Sequence, residues 1–305
     1  MMDIQLEPGS YVVAVSGGVD SVALLHLLHA KNLAAAASSK QTSKLIVAHY
    51  DHGIRPESAE DRKLVQNMAE AYGLQFVFDE GKLGPNTSEA DARLARYKFL
   101  NKVMKASKSQ AIITAHHQDD LIETAILNLL RGTGRKGLTS LSSRISLRRP
   151  ALNIPKQALI DYANDQGLAW HEDATNSDSK YLRNYIRKYI LPKVDPESKQ
   201  KFKDIIAKLQ IQNHELDQAL VNVLHMQSRS GKIDRAWFNQ LPHNVAKEVM
   251  ATWLRSNGWT KINRPGLEKL VVSAKVATAG KVFELSKDQS MSVESKYLAL
   301  VSNER

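Results

Sequence analysis

One stretch near the start of the chain constrains the fold most strongly. Residues 11–15 (YVVAV) form a short β-branched apolar run, Ser-Gly-Gly follows at 16–18, and leucines then recur at helical spacing. The run has the length and composition of a buried strand, and the leucine spacing is that of a helix. Two glycines let the backbone turn tightly, so that consecutive N–H groups and the positive end of the helix can converge on an anion. The stretch predicts a strand, a phosphate-binding loop and a helix.

An ordinary connection between a strand and a helix is the alternative for this loop, with Asp20 as an acid favoured by the helix dipole. The loop lacks both the Gly-x-x-x-x-Gly-Lys-Ser/Thr pattern of nucleoside triphosphatases and the Gly-x-Gly-x-x-Gly pattern of dinucleotide-binding folds. The motif SGGVDS resembles the signature of the PP-loop ATP pyrophosphatases, which cleave ATP between the α and β phosphates. That resemblance implies that ATP phosphates contact the loop residues Ser16, Gly17, Gly18, Val19, Asp20 and Ser21.

Three further strands are predicted along the first half of the chain, at 45–48, 75–78 and 111–114, with helices at 58–72 and 87–106. No hairpin signal lies between these segments. The alternation predicts an α/β fold with a doubly wound parallel sheet, in which ligands bind beyond the carboxyl ends of the strands.

Polar clusters follow two of these strands. His49 and His52 come after the second strand. They can be ordinary loop residues or a pair of metal ligands, and metal binding is the weaker interpretation. After the fourth strand, a helix starting near residue 118 places Glu123 on the same face as Asp119 and Asp120, close to His116. The helix dipole alone can explain two acids in a first turn. A third acid beside two histidines favours a site for an ammonium group or Mg²⁺.

Basic residues at three other places are candidates for contact with phosphate or substrate. Arg96 has no obvious acidic partner on its own helix, whereas Arg93 follows Glu89 by four residues and an ion pair explains it. The others lie in a glycine-rich loop predicted to be flexible and on a later helix, where two of them are one turn apart: Arg131, Arg135 and Lys136, then Arg183 and Arg187.

The sequence predicts two domains, 1–195 and 196–305, joined at Asp195-Pro196. A long helix at about 198–226, two shorter helices at 245–255 and 265–274, and a hairpin around 287–289 predict a smaller, mainly helical second domain. We favour a packing role without chemistry for the long helix. This domain contains no constellation that indicates catalysis.

Composition narrows the partners. The formal net charge is +10, which favours a polyanion such as nucleic acid, although many basic proteins have no such partner. The sequence has no cysteine, which excludes disulfides, Cys-ligated zinc, iron–sulfur clusters and persulfide carriers built from this chain. There is no secretory leader pattern and no apolar run of membrane length, so we expect a cytoplasmic protein without a membrane partner.

Five segments together resemble the tRNA(Ile)-lysidine synthetase family over about residues 11–192: SGGVDS, HYDHGIR, ADARLARY, AHHQDDLIETAILNLLRGTGRKGL and WHEDATNSDSKYLRNYIRKYILP. The resemblance implies an ATP-dependent ligase that joins free L-lysine to C2 of the wobble cytidine in an isoleucine tRNA with a CAU anticodon. The C2 oxygen is adenylated with release of pyrophosphate, and the lysine ε-amine then displaces AMP. The product, lysidine, changes codon reading from AUG to AUA.

The resemblance also implies roles for single residues. His116, Asp120, Arg96 and Arg187 would act in catalysis, Asp120 and Glu123 would bind lysine, and Asp20 would help to hold Mg²⁺. Contacts to tRNA would come from the second domain and from Arg131, Arg135, Lys136 and Arg183. Many relatives carry a further C-terminal domain, so the sequence resembles either a short form or a part of a longer protein. A homodimer also stays open.

Three other functions remain as alternatives. A tRNA thiolase of the same nucleotide-binding class generally needs cysteines, which this sequence lacks. An amide synthetase acting on small molecules would turn over nucleotide without tRNA. A nonenzymatic RNA-binding protein would show salt-sensitive tRNA binding without pyrophosphate release.

Overall fold

The computed structural model describes residues 2, 4, 6–53, 58–81, 87–171, 182–259 and 263–303 of the chain. The chain divides into two units, Met1–Ala207 and Lys208–Arg305, each with its own hydrophobic core. Within the described residues, every helix is too short or too polar to cross a bilayer.

Five parallel strands build the sheet of the first unit: β1 (Ser10–Ala14), β2 (Lys44–Asp51), β3 (Gln75–Glu80), β4 (Ala111–Ile113) and β5 (Leu147–Arg148). Their order is β3-β2-β1-β4-β5, so the direction of winding reverses between β1 and β4. In a sheet of this kind the ligand crevice opens at that reversal, beyond the carboxyl ends of the two strands. The predicted doubly wound parallel sheet is confirmed.

The helices of the first unit are α1 (Val19–Ala37), α2 (Ser58–Ala71), α3 (Glu89–Ala106), α4 (Gln118–Leu130), α5 (Arg135–Leu138), α6 (Lys156–Asp165) and α7 (Leu182–Tyr185). α7 continues into a π-helical turn (Ile186–Ile190) and a 3₁₀ turn (Leu191–Lys193). Alternate residues of β1 face opposite sides of the sheet. Tyr11 and Val13 pack with α1, α2 and α6, whereas Val12 packs with α3. Helices therefore cover both faces.

The boundary between the two units lies between Ala207 and Lys208, within the long helix α8 (Pro196–Gln227), whereas the sequence predicts a domain boundary at residues 195 and 196. Phe202 and Ile206, on the first turns of α8, pack with Leu121 of α4. Because these apolar side chains belong to a cluster of the first unit, the start of the helix is part of that unit.

The second unit contains more strand than predicted. Its helices beyond α8 are α9 (Arg235–Gln240), α10 (His243–Ser256) and α11 (Arg264–Val276), and its strands are β6 (Ser228–Arg229), β7 (Lys232–Asp234), β8 (Lys281–Glu284), β9 (Gln289–Val293) and β10 (Tyr297–Ser302). The strands form an antiparallel sheet in the order β6-β7-β10-β9-β8.

The predicted terminal hairpin is correct at its first turn and incomplete beyond it. Residues 291–301, predicted as one strand, turn back between β9 and β10, where the Glu294 N–H donates to the Tyr297 carbonyl at 2.8 Å. The apolar pattern continues on both sides of this turn, with Met291, Val293 and Leu298 all buried. Hydrophobic periodicity alone therefore did not reveal the break.

Candidate active site

The loop after β1 is closed by its two serines. The Ser16 backbone N–H donates a hydrogen bond to Ser21 Oγ at 3.1 Å, and the Ser21 hydroxyl donates to the Gly18 carbonyl at 2.9 Å. Ser16 Oγ lies 3.2 Å from Ser21 Oγ. Because the Ser21 hydroxyl donates its proton within the loop, this side chain stabilises the conformation of the loop. Ser16 is the serine whose hydroxyl remains the better donor to a ligand.

The loop leads directly into α1, so that the backbone N–H groups at the start of this helix face the crevice. Gly17 has φ +95°, and a Cβ there would lie 3.2 Å from the Cβ of Asp61, so a larger residue would be strained and crowded. Gly18 is the N-cap of α1, and among the described residues no side chain caps this end. The first N–H groups of the helix are therefore available to an anion, which the helix dipole also favours.

His49, near the end of β2, hydrogen-bonds the residue that precedes this loop. Its Nδ1 lies 2.9 Å from the Val15 carbonyl oxygen, which can only accept, so Nδ1 carries the proton and donates. Nε2 is then an acceptor, and it is buried without a hydrogen-bond partner in the described part of the chain. Burial lowers the pKa of His49, so that the ring stays neutral.

Asparagine and glutamine at position 49 separate the roles of the two ring nitrogens. In His49→Asn the amide nitrogen falls near the place of Nδ1 and can still donate to Val15, whereas in His49→Gln it reaches toward the place of Nε2. We expect the Michaelis constant for ATP, measured by pyrophosphate release, to rise about tenfold in His49→Gln and far less in His49→Asn. Equal Michaelis constants in two variants that unfold at the same temperature would contradict this role.

The segment between β4 and α4 carries a half-buried, neutral histidine, His116. His116 Nδ1 lies 2.8 Å from Thr114 Oγ1. Burial lowers the pKa of His116 to about 3; Asp120 opposes this shift and the charge of Arg149 adds to it. His116 is therefore an imidazole at neutral pH, able to accept a proton but weakly basic before substrate arrives.

The low pKa of His116 predicts a dependence of stability on pH. Between the ordinary value of 6.5 and about 3, the unfolded chain binds a proton that the folded chain does not, so stability falls as pH drops through this window. For this one group the loss between pH 7 and pH 5 is about 2 kcal/mol. Denaturant unfolding at both pH values should show a smaller loss in His116→Gln. The exposed His214→Gln should behave as the parent, and equal losses in all three proteins would contradict the assignment.

His117 joins the phosphate loop to α4. Its Nε2 lies 3.5 Å from Asp20 Oδ2 and 3.4 Å from Asp120 Oδ2. Burial alone would lower the pKa of His117, but the hydrogen bond to Asp20 and the charge of Asp120 outweigh it and raise the pKa. Burial alone would likewise raise the pKa of Asp20, and His117 is the main reason that it is lowered instead. The three groups form a charged bridge between the carboxylate of α1 and that of α4.

The acids of α4 are already paired with arginines. Arg187 Nη2 lies 3.0 Å from Asp120 Oδ1, and Arg187 Nε lies 3.0 Å from Glu123 Oε2. Arg183 Nε lies 2.6 Å from the other oxygen of Glu123, whose side chain is only 2% exposed. Burial raises the pKa of Glu123 despite the opposing charge of Arg187. The two carboxylates and two guanidiniums form an approximately neutral cluster, which we call the acid–arginine cluster.

Comparison with known proteins identifies the family of this chain. A family model described as the PP-loop domain matches residues 3–194. The chain belongs to the PP-loop family. The phosphate loop, the His117 bridge and the acid–arginine cluster all fall inside or end within the matched region.

The PP-loop unit is similar to tRNA(Ile)-lysidine synthases, which confirms the resemblance seen in the sequence. It is 38% identical over 195 residues to the enzyme of Exiguobacterium sibiricum, covering 62% of this chain and 44% of that protein. It is 37% identical over 206 residues to the enzyme of Nitrosomonas europaea, covering 64% and 43%. The matched region thus spans less than half the length of these relatives.

A solved structure supports the fold. The U34-tRNA thiolase NcsA from Methanococcus maripaludis, with its [4Fe-4S] cluster, superimposes with a TM-score of 0.52 at 21% identity, covering 68% of this chain and 74% of that one. At this identity the likeness concerns the architecture of the PP-loop unit.

Mg²⁺ is the cation that the resemblance implies, and Asp20 fits it. Asp20 Oδ1 is buried and has no hydrogen-bond partner in the described part of the chain. Mg²⁺ is held in proteins by one or two carboxylates together with substrate phosphates and water. Among the described residues, no group of three or more His, Asp or Glu side chains could hold a metal by itself. Asp20 would therefore share the ion with nucleotide phosphates, whose charge the ion would neutralise.

The structure brings together most of the predicted site residues. Asp20, His116, Asp120, Glu123 and Arg187 lie along the reversal point between β1 and β4, and the charge of Arg96 acts on His116. Arg183, predicted to contact tRNA, instead pairs with Glu123. Asp119, predicted to share the face of Glu123, lies 3.7 Å from Lys199 Nζ.

The predicted basic loop begins at the end of α4 opposite to the one that carries Asp120. Arg131, Arg135 and Lys136 follow the end of α4, whose 13 residues span about 20 Å from the crevice end. Asn128 organises the loop by donating to the Gly137 carbonyl at 2.7 Å and to Ser140 Oγ at 2.9 Å. The stretch contains the one-turn helix α5. The Asn128 amide thus links the end of α4 to the residues around α5. The flexibility of this stretch stays a prediction.

Four residues of the site were missed or given no role from sequence: His49, Tyr97, His117 and Arg149. His117 was noted only as one of two neighbouring histidines. Its position at the N-cap of α4 is the available signal, because an N-cap side chain faces the preceding strand end. Arg149 is 6% exposed and directly follows β5, a two-residue strand too short to recognise from its pattern.

Proposed function

We propose that this chain joins lysine to C2 of the wobble cytidine in an isoleucine tRNA with a CAU anticodon, at the expense of ATP. The observation that carries the proposal is the link from the phosphate loop through Asp20 and His117 to Asp120, and onward through Arg187 to Glu123. A nucleotide-cleaving loop is thereby coupled to buried carboxylates suited to a basic substrate. The similarity to tRNA(Ile)-lysidine synthases supports the same reaction.

The first half-reaction needs groups that hold phosphate charge. In it the C2 oxygen of cytosine bonds to the α phosphorus while the bond to the β-phosphate oxygen breaks and pyrophosphate leaves. Ser16 and the N–H groups at the start of α1 would hold the pyrophosphate. Arg96 and Arg187 would stabilise the charge that develops on the α phosphate.

The second half-reaction needs a carboxylate for the ammonium and a base for its proton. Asp120 and Glu123 would bind the lysine ε-ammonium, which must lose a proton before its nitrogen attacks C2 and AMP departs. His116 is neutral at neutral pH and can accept that proton. Phosphate charge placed beside His116 would raise its pKa, so the histidine becomes a stronger base once the adenylate has formed.

The composition of the chain favours lysine transfer over the thiolase reaction. Replacement of a base oxygen by sulfur needs a sulfur carrier or cluster, and this sequence has no cysteine to provide either. A lysine acceptor needs only carboxylates and a base, which the crevice contains. We expect the enzyme to act in the cytoplasm, where uncharged tRNA is processed, and leave homodimer formation as a prediction for sedimentation analysis.

One assay tests the function. The protein is incubated with ATP, Mg²⁺, labelled lysine and an unmodified isoleucine tRNA with a CAU anticodon, and the tRNA is digested to nucleosides. We expect label on the wobble nucleoside and release of pyrophosphate and AMP. Pyrophosphate release with a small carboxylate acceptor and without tRNA would favour the amide synthetase. Salt-sensitive tRNA binding without any nucleotide cleavage would favour a nonenzymatic RNA-binding protein.

A further inference from the structure

A group of basic side chains near His116 has no part in the acid–arginine cluster. We call it the Tyr97 cluster; its members are Arg93, Arg96, Tyr97 and Arg149. The Arg93 Cζ lies 4.9 Å from the centroid of the Tyr97 ring and the Arg96 Cζ lies 5.8 Å from it. Three guanidiniums therefore gather around one phenol.

The Tyr97 hydroxyl is positioned to donate its proton to an anion. Arg93 Nη2 donates to Tyr97 Oη at 3.4 Å, and the Arg149 guanidinium also hydrogen-bonds this side chain. With its oxygen accepting from two cations, the Tyr97 hydroxyl can still donate its own proton. The contacts described for Arg93 and Arg149 are with Tyr97 and with backbone or hydroxyl groups of Ser142 and Ser143, and none is with a described carboxylate side chain. The guanidiniums of Arg93 and Arg149 beside a phenol donor are a favourable setting for phosphate.

Arg149 is fixed in place before any ligand arrives. Its side chain is buried and donates to the Ser142 carbonyl, and its backbone N–H donates to Ser143 Oγ at 3.0 Å. Arg149 Nε has no hydrogen-bond partner in the described part of the chain. The Thr114 N–H donates to the Arg148 carbonyl at 3.1 Å, which holds the end of β5 beside the segment that carries His116. The cluster therefore borders the reactive groups.

The Tyr97 cluster is a different place from the glycine loop. The loop leads into α1, which packs on one face of the sheet, whereas Tyr97 lies in the first half of α3, which packs on the other face. Arg93 is exposed, so the cluster is open to a large ligand. Every nucleotide of RNA has a phosphate on each side of its ribose, so a base brought to His116 brings phosphates with it.

We propose that the Tyr97 cluster is a second phosphate-binding site, which holds an RNA backbone phosphate next to the nucleotide that is modified. The proposal rests on the proposed function for the identity of the RNA. It assigns to Tyr97, Arg93 and Arg149 the task of fixing the register of the anticodon loop, while the glycine loop holds the nucleotide phosphates.

The test measures RNA affinity and ATP use separately in the whole chain. Arg93→Gln and Tyr97→Phe remove an exposed charge and one hydroxyl, which leaves the buried Arg149 in place. We expect affinity for the CAU-anticodon isoleucine tRNA to fall roughly tenfold in Arg93→Gln and by a smaller factor in Tyr97→Phe. The dependence of log affinity on log salt should become shallower in Arg93→Gln by about one unit. The Michaelis constant for ATP should not change.

Two controls sharpen the result. Lys102→Gln removes one charge from an exposed position on the same helix and should leave affinity and salt dependence unchanged. An anticodon stem-loop with an uncharged methylphosphonate beside the wobble nucleotide should bind the parent protein weakly, and Arg93→Gln should weaken it no further.

Three outcomes would overturn the proposal: an altered Michaelis constant for ATP with unchanged tRNA affinity, an equal loss in Lys102→Gln, or full affinity for the methylphosphonate stem-loop. Because these are binding measurements, they stand apart from the lysine-transfer assay. A parent protein that binds this tRNA through the cluster but transfers no lysine would contradict the proposed function and leave this site intact.

Discussion

Replacing Asp20 by alanine is expected to abolish pyrophosphate release, with a loss of roughly a thousandfold or more in rate. Asp20 presents one oxygen to His117 and a second oxygen that has no partner in the described structure. Its removal takes away the negative charge that would hold Mg²⁺ against the nucleotide phosphates. Such a loss corresponds to about 4 kcal/mol of transition-state stabilisation.

The matched controls for Asp20 are a neutral isostere and a distant acid. Asp20→Asn keeps the size of the side chain and should lose nearly as much rate as alanine, because charge is the quantity at issue. Asp165→Ala removes an exposed acid from the end of α6 and should release pyrophosphate at the parental rate. Asp20→Ala that unfolds at the parental temperature and keeps a tenth of the rate would rule out the role given to Asp20.

Replacing Glu123 by glutamine is expected to impair the use of lysine far more than the use of ATP. Glu123 is a buried carboxylate shared by Arg183 and Arg187, and glutamine keeps its volume while removing its charge. We expect the Michaelis constant for lysine to rise roughly a hundredfold, with little change for ATP. Steady-state kinetics with each substrate varied in turn measure both constants.

Loss of a buried charge also affects folding, so the Glu123 variant needs a stability measurement. Removing one member of a fully buried ion pair costs about 3–5 kcal/mol. The cost here should be smaller, because Arg187 keeps Asp120 and both guanidiniums are about one-third exposed to water. Asp119→Asn lies on the same helix and loses only the Lys199 contact, so it should retain both Michaelis constants. Equal effects of Glu123→Gln on lysine and ATP, at a temperature where it is folded, would contradict the assignment of lysine binding.

The first unit could be predicted from sequence because its signals are local and repeated. β1, the glycine loop and α1 follow one another without a gap, and the second and fourth strands each end at a polar cluster. A parallel sheet then requires those clusters to meet at one edge. This pattern brings His116, Asp120 and Glu123 to the crevice, whereas the roles proposed for them and for Asp20 come from the family resemblance.

The parts that sequence did not predict depend on distant contacts. β5 has two residues and exists because β4 offers it a hydrogen-bonding edge. Arg183 carries a charge that suits a polyanion equally well, and only the fold brings it to Glu123, 60 positions earlier in the chain. The sequence prediction took Asp195-Pro196 as a linker, whereas Pro196 is the first residue of α8, a position where proline is favoured.

If lysine binds as proposed, the pairing of Glu123 with two arginines means that the ammonium cannot simply add its charge to this crevice. An incoming ammonium must take the place of a guanidinium, and Arg183, with 36% of its side chain exposed, is the better placed of the two to withdraw. The displaced guanidinium could then contact the phosphate of the adenylate. Occupancy of the two ligand pockets should therefore be mutually reinforcing, with ATP tightening the grip on lysine by the same factor as lysine tightens the grip on ATP.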